Sequence, residues 1–130
     1  MLLEFLKESG IKEANITSRK YQKGQIIHSP IDSCDGLFMV NTGILRVYIN
    51  SSEGREVTLY RLKPGELCLF SAACIFKNIS FDLYISADTD CTLEVLSISD
   101  YKAMENLSLS KKIDEIMAAR MSAVISLVND

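Results

Sequence analysis

Two stretches, Ile44-Leu-Arg-Val-Tyr-Ile49 and Glu56-Val-Thr-Leu-Tyr-Arg-Leu62, parted by Ser52-Glu53-Gly54, decide the fold class. Leu45, Val47 and Ile49 alternate with Ile44, Arg46 and Tyr48, the period of a strand with one face inward and one face wet. Val57, Leu59 and Arg61 alternate in the same way with Glu56, Thr58, Tyr60 and Leu62. Leu83, Ile85 and Ala87 repeat the pattern against Asp82, Tyr84 and Ser86.

Working outward, period-two patterning runs from Asn15 to about Ser99. It is broken at Lys23-Gly24, Ser29-Pro30, Asp35-Gly36, Asn41-Thr42-Gly43, Lys63-Pro64-Gly65 and Asp88-Thr89-Asp90. Many short strands at that spacing predict a β-sandwich or barrel. One stretch does not alternate: Leu67 to Phe76 is apolar or small throughout, which predicts a buried segment rather than an ordinary edge strand or surface loop.

The two ends read as helices. Leu2 to Glu8 puts Leu2, Leu3, Phe5 and Leu6 on one side and stops at Ser9-Gly10, so it reads as a short docking helix. Ser99-Asp100 is read as the cap of a short helix through Met104, and Ser108 or Ser110 as the cap of a longer helix running to the end. That last helix carries two apolar stripes. Ile113, Ile116, Ala123 and Leu127 form one; Met117, Met121, Val124 and Val128 form the other. A surface helix needs only one. The economical reading packs one stripe on the barrel and the other on a second copy of the chain, at coiled-coil spacing; the alternative is one broad stripe buried within a monomer.

Composition narrows the function. At 130 residues, 48% hydrophobic and 24% charged, the chain is long enough for one folded domain with its own core. The count of 14 basic against 17 acidic residues gives a net charge of -3, which disfavours non-specific nucleic-acid binding. No apolar run reaches the ~20 residues of a membrane span, and the N-terminus lacks the basic head and apolar middle of a secretory signal. A cytoplasmic protein without membrane contact is expected. The tripeptides starting at Asn15, Asn78 and Asn106 match the glycosylation pattern by chance on that reading.

Four pieces then stand in order: Lys23-Gly-Gln-Ile-Ile-His28, Gly36-Leu-Phe-Met-Val-Asn-Thr-Gly-Ile-Leu-Arg-Val-Tyr48, Gly54-Arg-Glu-Val-Thr-Leu59 and Leu62-Lys-Pro-Gly65. Together they resemble the effector domain of the cyclic-AMP receptor protein/Fnr (Crp/Fnr) family of bacterial transcription regulators. The resemblance implies a mainly β protein with flanking helices. Its centre would be a double-stranded β-helix, a jelly-roll or cupin-like barrel, followed by a long C-terminal helix through which two copies form a homodimer. On it, residues 1–108 are the cyclic-nucleotide-binding-like effector domain and residues 109–130 the start of the dimerisation helix. Full-length members continue into a helix-turn-helix domain that reads DNA. No such segment lies within these 130 residues, and the helical pattern still runs at Ser126-Leu-Val-Asn-Asp130, so the chain is expected to be a piece of a longer protein or a shortened homologue.

The departures from the family are informative. Members that bind cyclic nucleotides carry a Gly-Glu pair and then an Arg, which hold ribose and phosphate; a buried anion needs such partners. Here those places fall on Leu69, Phe70 and, counted from Ala87 and Cys91, on Phe81. Glu66 belongs to the earlier Pro-Gly-acid turn and is not the ribose contact. Cyclic AMP and cyclic GMP are therefore not expected to bind tightly. If a cavity persists, its lining would be Cys68, Phe70, Ser71, Ala72, Ala73, Cys74, Phe81 and Leu83, closed by Met117, Arg120, Met121 and Val124. Small residues leave space and aromatics offer stacking surface, so the effector would be an apolar or aromatic small molecule. A filled core is the alternative, and a solvated or salt-bridged Arg120 the alternative to a ligand clamp.

Two other function classes compete. Cys34, Cys68 and Cys74 are redox or metal candidates, although there is no C-x-x-C pair, no Cys precedes Cys34, and free cysteine usually packs as a small hydrophobe. Cys91 is the least suspicious. A stand-alone ligand-binding or thiol-sensing barrel is thus the competing function. Catalysis is the poorest reading: His28 is the single histidine, most simply a turn or strand-end residue, and one histidine cannot build a multi-histidine metal centre; no nucleophile or phosphate-loop motif is present. The residues do not name a cofactor.

Overall fold

Alternating segments become strands when one face can be buried, and here two sheets bury theirs against each other. A computed structural model describes residues 1–28, 36–51, 53–69 and 83–129; the side chains of His28, Leu69, Leu83, Ile98, Met121 and 123–129 stand outside that description. In chain order the described elements are α1 (Leu2–Lys7), β1 (Ile16–Tyr21), β2 (Ile26–His28), β3 (Gly36–Thr42), β4 (Leu45–Asn50), β5 (Glu56–Leu62), β6 (Leu67–Leu69), β7 (Leu83–Ala87), β8 (Cys91–Ser97), α2 (Ile98–Met104) and α3 (Leu107–Asn129). One antiparallel sheet has the order β1-β8-β3-β6 and the other β2-β7-β4-β5. This is the jelly-roll expected.

The sheets meet through Phe38, Val40, Cys68, Leu93 and Val95 on the first and Leu45, Val47, Leu62, Ile85 and Ala87 on the second, all buried. The other face of the first sheet is covered by helices. Glu94 reaches out on that side, where its carboxylate accepts the Leu2 N–H at 3.1 Å and pairs with the terminal ammonium at 3.4 Å. An orphan donor of the first helical turn is thereby satisfied by a residue of β8. Leu2 and Leu6 are buried beneath this tie, as the docking-helix pattern predicts.

Two caps differ from expectation. Ser97, not Ser99-Asp100, caps α2, its hydroxyl accepting the Asp100 N–H at 3.2 Å. Asn106, not Ser108 or Ser110, caps α3: its Oδ1 accepts the Leu109 N–H at 2.9 Å while its Nδ2 donates to the Ser9 carbonyl at 3.0 Å. In both cases the strand or turn before the helix brings an earlier polar residue into range. Strand β6, read as no ordinary edge, is the outermost described strand of its sheet, but it is three residues long with Leu67 and Cys68 buried.

The largest departure is in β5. Val47 lies opposite Tyr60 whereas Tyr48 lies opposite Thr58, so Leu59 is an extra residue in the ladder. Such a bulge reverses the alternation beyond it. Tyr60 and Leu62, read as sharing a face with Glu56 and Thr58, instead join Leu59 on the inner face, while Arg61 turns outward to Asp88 at 3.0 Å.

Candidate functional site

The bulge places Tyr60 at the junction between barrel and C-terminal helix. After Leu62 the chain turns through Lys63-Pro64-Gly65-Glu66, with Gly65 at φ +88°. Hydrogen bonds from side chain and backbone hold this turn. The Lys63 N–H donates to Glu66 Oε1 at 2.8 Å, and the Gly65 N–H to the Val40 carbonyl at 2.8 Å. Strand β6 follows, with Cys68 fully buried opposite Phe38.

Helix α3 crosses this region on its own apolar stripe. Leu109 and Ile113 are buried, and Ile116 and Met117 are half-buried against the same core. One turn further, the Arg120 guanidinium lies 5.0 Å from the centre of the Tyr60 ring, and its Nη2 donates to Glu66 Oε2 at 3.4 Å. The pair is unequal in burial: the Arg120 side chain is 15% exposed and that of Glu66 40%. Arg120 Nε is buried without a partner. The Tyr60 hydroxyl is also buried without a partner at hydrogen-bonding geometry, with Cys68 beside it. Burial first, and then Cys68, push the Tyr60 phenol well above the usual tyrosine range, with the Arg120 charge opposing. It stays a neutral donor at any physiological pH. A groove of about 400 Å³ opens here, lined by Tyr60, Arg61, Glu66, Ile116, Ala119 and Arg120.

Of the pocket residues read from sequence, Cys68 faces the interior and Arg120 stands at the barrel–helix junction. Leu83 opens β7 opposite Ile49. Phe70, Ser71, Ala72, Ala73, Cys74 and Phe81 lie outside the described residues, as does Cys34. Met117 packs partly on the domain's own core; Met121, Val124 and Val128 lie in α3, their side chains outside the description. The Cys91 thiol is buried, and burial followed by the neighbouring Asp90 raises its pKa, which suits a packing role. His28 ends β2. Among the described residues no three His, Cys, Asp or Glu side chains converge, and no helix is long and apolar enough to cross a membrane.

Sequence reasoning missed Tyr60 and set Glu66 aside as a turn residue. A signal was present: Leu59 and Leu62, three apart, cannot share a face of a regular strand, so packing both on one face of the sheet requires a bulge.

Comparison with known proteins places this geometry. Residues 18–106 match the model of the cyclic nucleotide-binding domain. A solved structure assigned to the Crp/Fnr family of transcriptional regulators, from Eubacterium rectale, superposes with a TM-score of 0.77 at 39% identity, covering 88% of this chain and 54% of that one. The chain thus spans about half the length of that regulator. The heme domain of CooA from Rhodospirillum rubrum has a TM-score of 0.71 at 19% identity, covering 89% of this chain and 82% of that one. The c-di-GMP-responsive global regulator CLP of Xanthomonas campestris has 0.68 at 18% identity, covering 88% of this chain and 58% of that one. The last two share the fold. No curated protein matches the chain.

Proposed function

The chain belongs to the cyclic nucleotide-binding domain family, and from that premise we propose that it is the effector-sensing and dimerisation part of a Crp/Fnr-type transcription regulator whose pocket no longer holds a cyclic nucleotide. The observation that carries this reading is the composition of the anchor places within an otherwise matching frame. Leu69, in the Gly place, stands in β6 opposite Leu37; Phe70 and Phe81 take the Glu and Arg places. None of the three can accept a ribose hydroxyl through its side chain or neutralise a phosphate.

In this reading the domain binds and signals rather than catalyses, and it works in the cytoplasm as a homodimer joined along α3. Residues 1–108 sense, the helix from 109 onward dimerises, and DNA is read by a domain beyond this chain. A signal at the barrel must favour one packing of the two α3 helices over another, since a ligand shifts an equilibrium only by its differential affinity. The Tyr60–Arg120–Glu66 contact supports such a route, because it ties the β5–β6 turn to α3 directly.

Calorimetric titration with cyclic AMP is expected to give no saturable binding up to about 1 mM, a concentration corresponding to roughly 4 kcal/mol of affinity. Micromolar binding would overturn the degenerate pocket. In sedimentation, the wild-type chain is expected to dimerise and Met121→Asp to shift it toward monomer; identical mass for both would overturn the α3 interface.

A further inference from the structure

We propose that the groove between the β5–β6 turn and α3 is a binding site for a small organic monocarboxylate, whose anion takes Arg120 over from Glu66 while its apolar body rests on Ile116 and Ala119. The proposal deepens the effector-sensing reading by naming a ligand class for the Arg120 side of the pocket, and it rests on that reading only for its regulatory meaning.

Arg120 is poorly satisfied for so buried a cation. A guanidinium offers five N–H donors in a rigid fork, and charge-assisted contacts to a carboxylate ordinarily run to 2.7–2.9 Å. Among the described residues its Nη2 reaches only Glu66, at a long 3.4 Å, and Nε, buried, meets no acceptor. A buried donor without an acceptor costs stability that an incoming acceptor restores. The other cation of the groove is already matched, since Arg61 donates to Asp88 at 3.0 Å. The Tyr60 hydroxyl is buried beside Cys68, so what Tyr60 offers at this junction is its ring face, on which the guanidinium lies. A buried cation with donors to spare is the complement of a carboxylate.

The remaining walls define the rest of the ligand. Ile116, Ala119 and the Tyr60 ring are apolar, so the anion must carry an apolar body. One guanidinium beside one carboxylate leaves no charge for a second anionic group, which excludes di- and tricarboxylates and phosphate esters. A space of about 400 Å³ suits a small molecule. Glu66 is able to yield: it is 40% exposed, and when its carboxylate swings to water the turn keeps its backbone bonds, Gly65 N–H to the Val40 carbonyl at 2.8 Å and Glu66 N–H to the Lys63 carbonyl at 3.0 Å. Ligand entry therefore exchanges an internal ion pair for an external one and releases the tie between turn and α3.

The test is calorimetric or NMR titration of the intact chain with benzoate, and with benzamide as its neutral counterpart. Benzoate is expected to bind saturably and at least about tenfold more tightly than benzamide, the scale of one charge-assisted hydrogen bond. Arg120→Gln should remove that preference. Glu66→Gln should instead tighten benzoate binding about threefold, because the competing carboxylate is gone. A merely structural Arg120–Glu66 pair would not produce opposite signs. Equal affinity for benzoate and benzamide, or weaker benzoate binding in Glu66→Gln, overturns the site. Should Arg120→Gln not fold, the ligand pair and Glu66→Gln decide alone. Failure of benzoate leaves the dimerisation and cyclic-AMP experiments untouched, so this site and the effector-sensing reading fall separately.

Discussion

The two sheets of this barrel have the same number of described strands but solve different burial problems. In the first sheet β3 is sealed on both sides, by the second sheet and by the helices, so Leu37, Phe38, Met39 and Val40 are all 5% exposed or less. In the second sheet β4 alternates in facing: Leu45 and Val47 are fully buried on the inner face, while Arg46 and Tyr48 lie on the opposite face, Arg46 part-exposed and Tyr48 buried at 6% by its neighbours there. There Tyr48 stacks on Tyr84 at 5.3 Å, the Arg46 guanidinium lies over Tyr48 at 4.1 Å, and Arg46 pairs with Glu56. A strand covered twice reads as a continuous apolar run, and a strand covered once as an alternation. The site forms where the pattern of the second sheet fails, at the β5 bulge.

The contrast is broken most severely by Phe38→Ala, which removes the largest fully buried side chain among the described residues, at the centre of the doubly covered strand. A loss of about 3–5 kcal/mol is expected in urea unfolding. Next comes Gly43→Ala, at the junction where the chain leaves one sheet for the other. Gly43 has φ +84°, and an added Cβ would stand 2.3 Å from the Asp90 carbonyl oxygen and 2.5 Å from Cys91 Cβ. Positive φ alone costs an alanine about 1–2 kcal/mol, and the backbone contact adds to it. The unfolding midpoint should fall accordingly, and an unchanged midpoint would show that the two sheets do not depend on this close approach.

A smaller effect sharpens the contrast through pH. Burial raises the pKa of Tyr60, Tyr101 and Cys91, so at alkaline pH the unfolded chain ionises before the folded one. Stability from these groups is complete below the unfolded thiol and phenol ranges and is lost as pH rises through the folded values. Urea midpoints should decline above about pH 9, where unfolded thiols and phenols begin to ionise, and Tyr101→Phe should flatten part of that decline. The smallest effect belongs to the exposed face: Arg46→Ala should cost under about 1 kcal/mol, and less in high salt. A larger cost would mean that the outer face of the second sheet is less wet than its alternation indicates.

Most of the fold was legible in the residues. The terminal helices, the breaks at Lys63-Pro64-Gly65 and Asn41-Thr42-Gly43, and the sheet-forming segments follow from period and turn chemistry. The candidate site was legible only in part. Arg120 stands out as a cation on an apolar helix, but its partners do not, because alternation groups Tyr60 with Glu56 and Thr58, and Glu66 reads as a turn residue.

The sequence by itself determined which segments alternate, where glycine must turn the chain, and that apolar residues occupy the nucleotide anchor places, because these are properties of neighbours in the chain. Tertiary structure alone decided that the bulge falls at Leu59, that Asn106 rather than a serine caps α3, and that Arg120 meets residues 54 and 60 positions before it. Those outcomes depend on which strand pairs with which and on where a helix comes to rest. That energy resides in long-range contacts, and no local pattern encodes it.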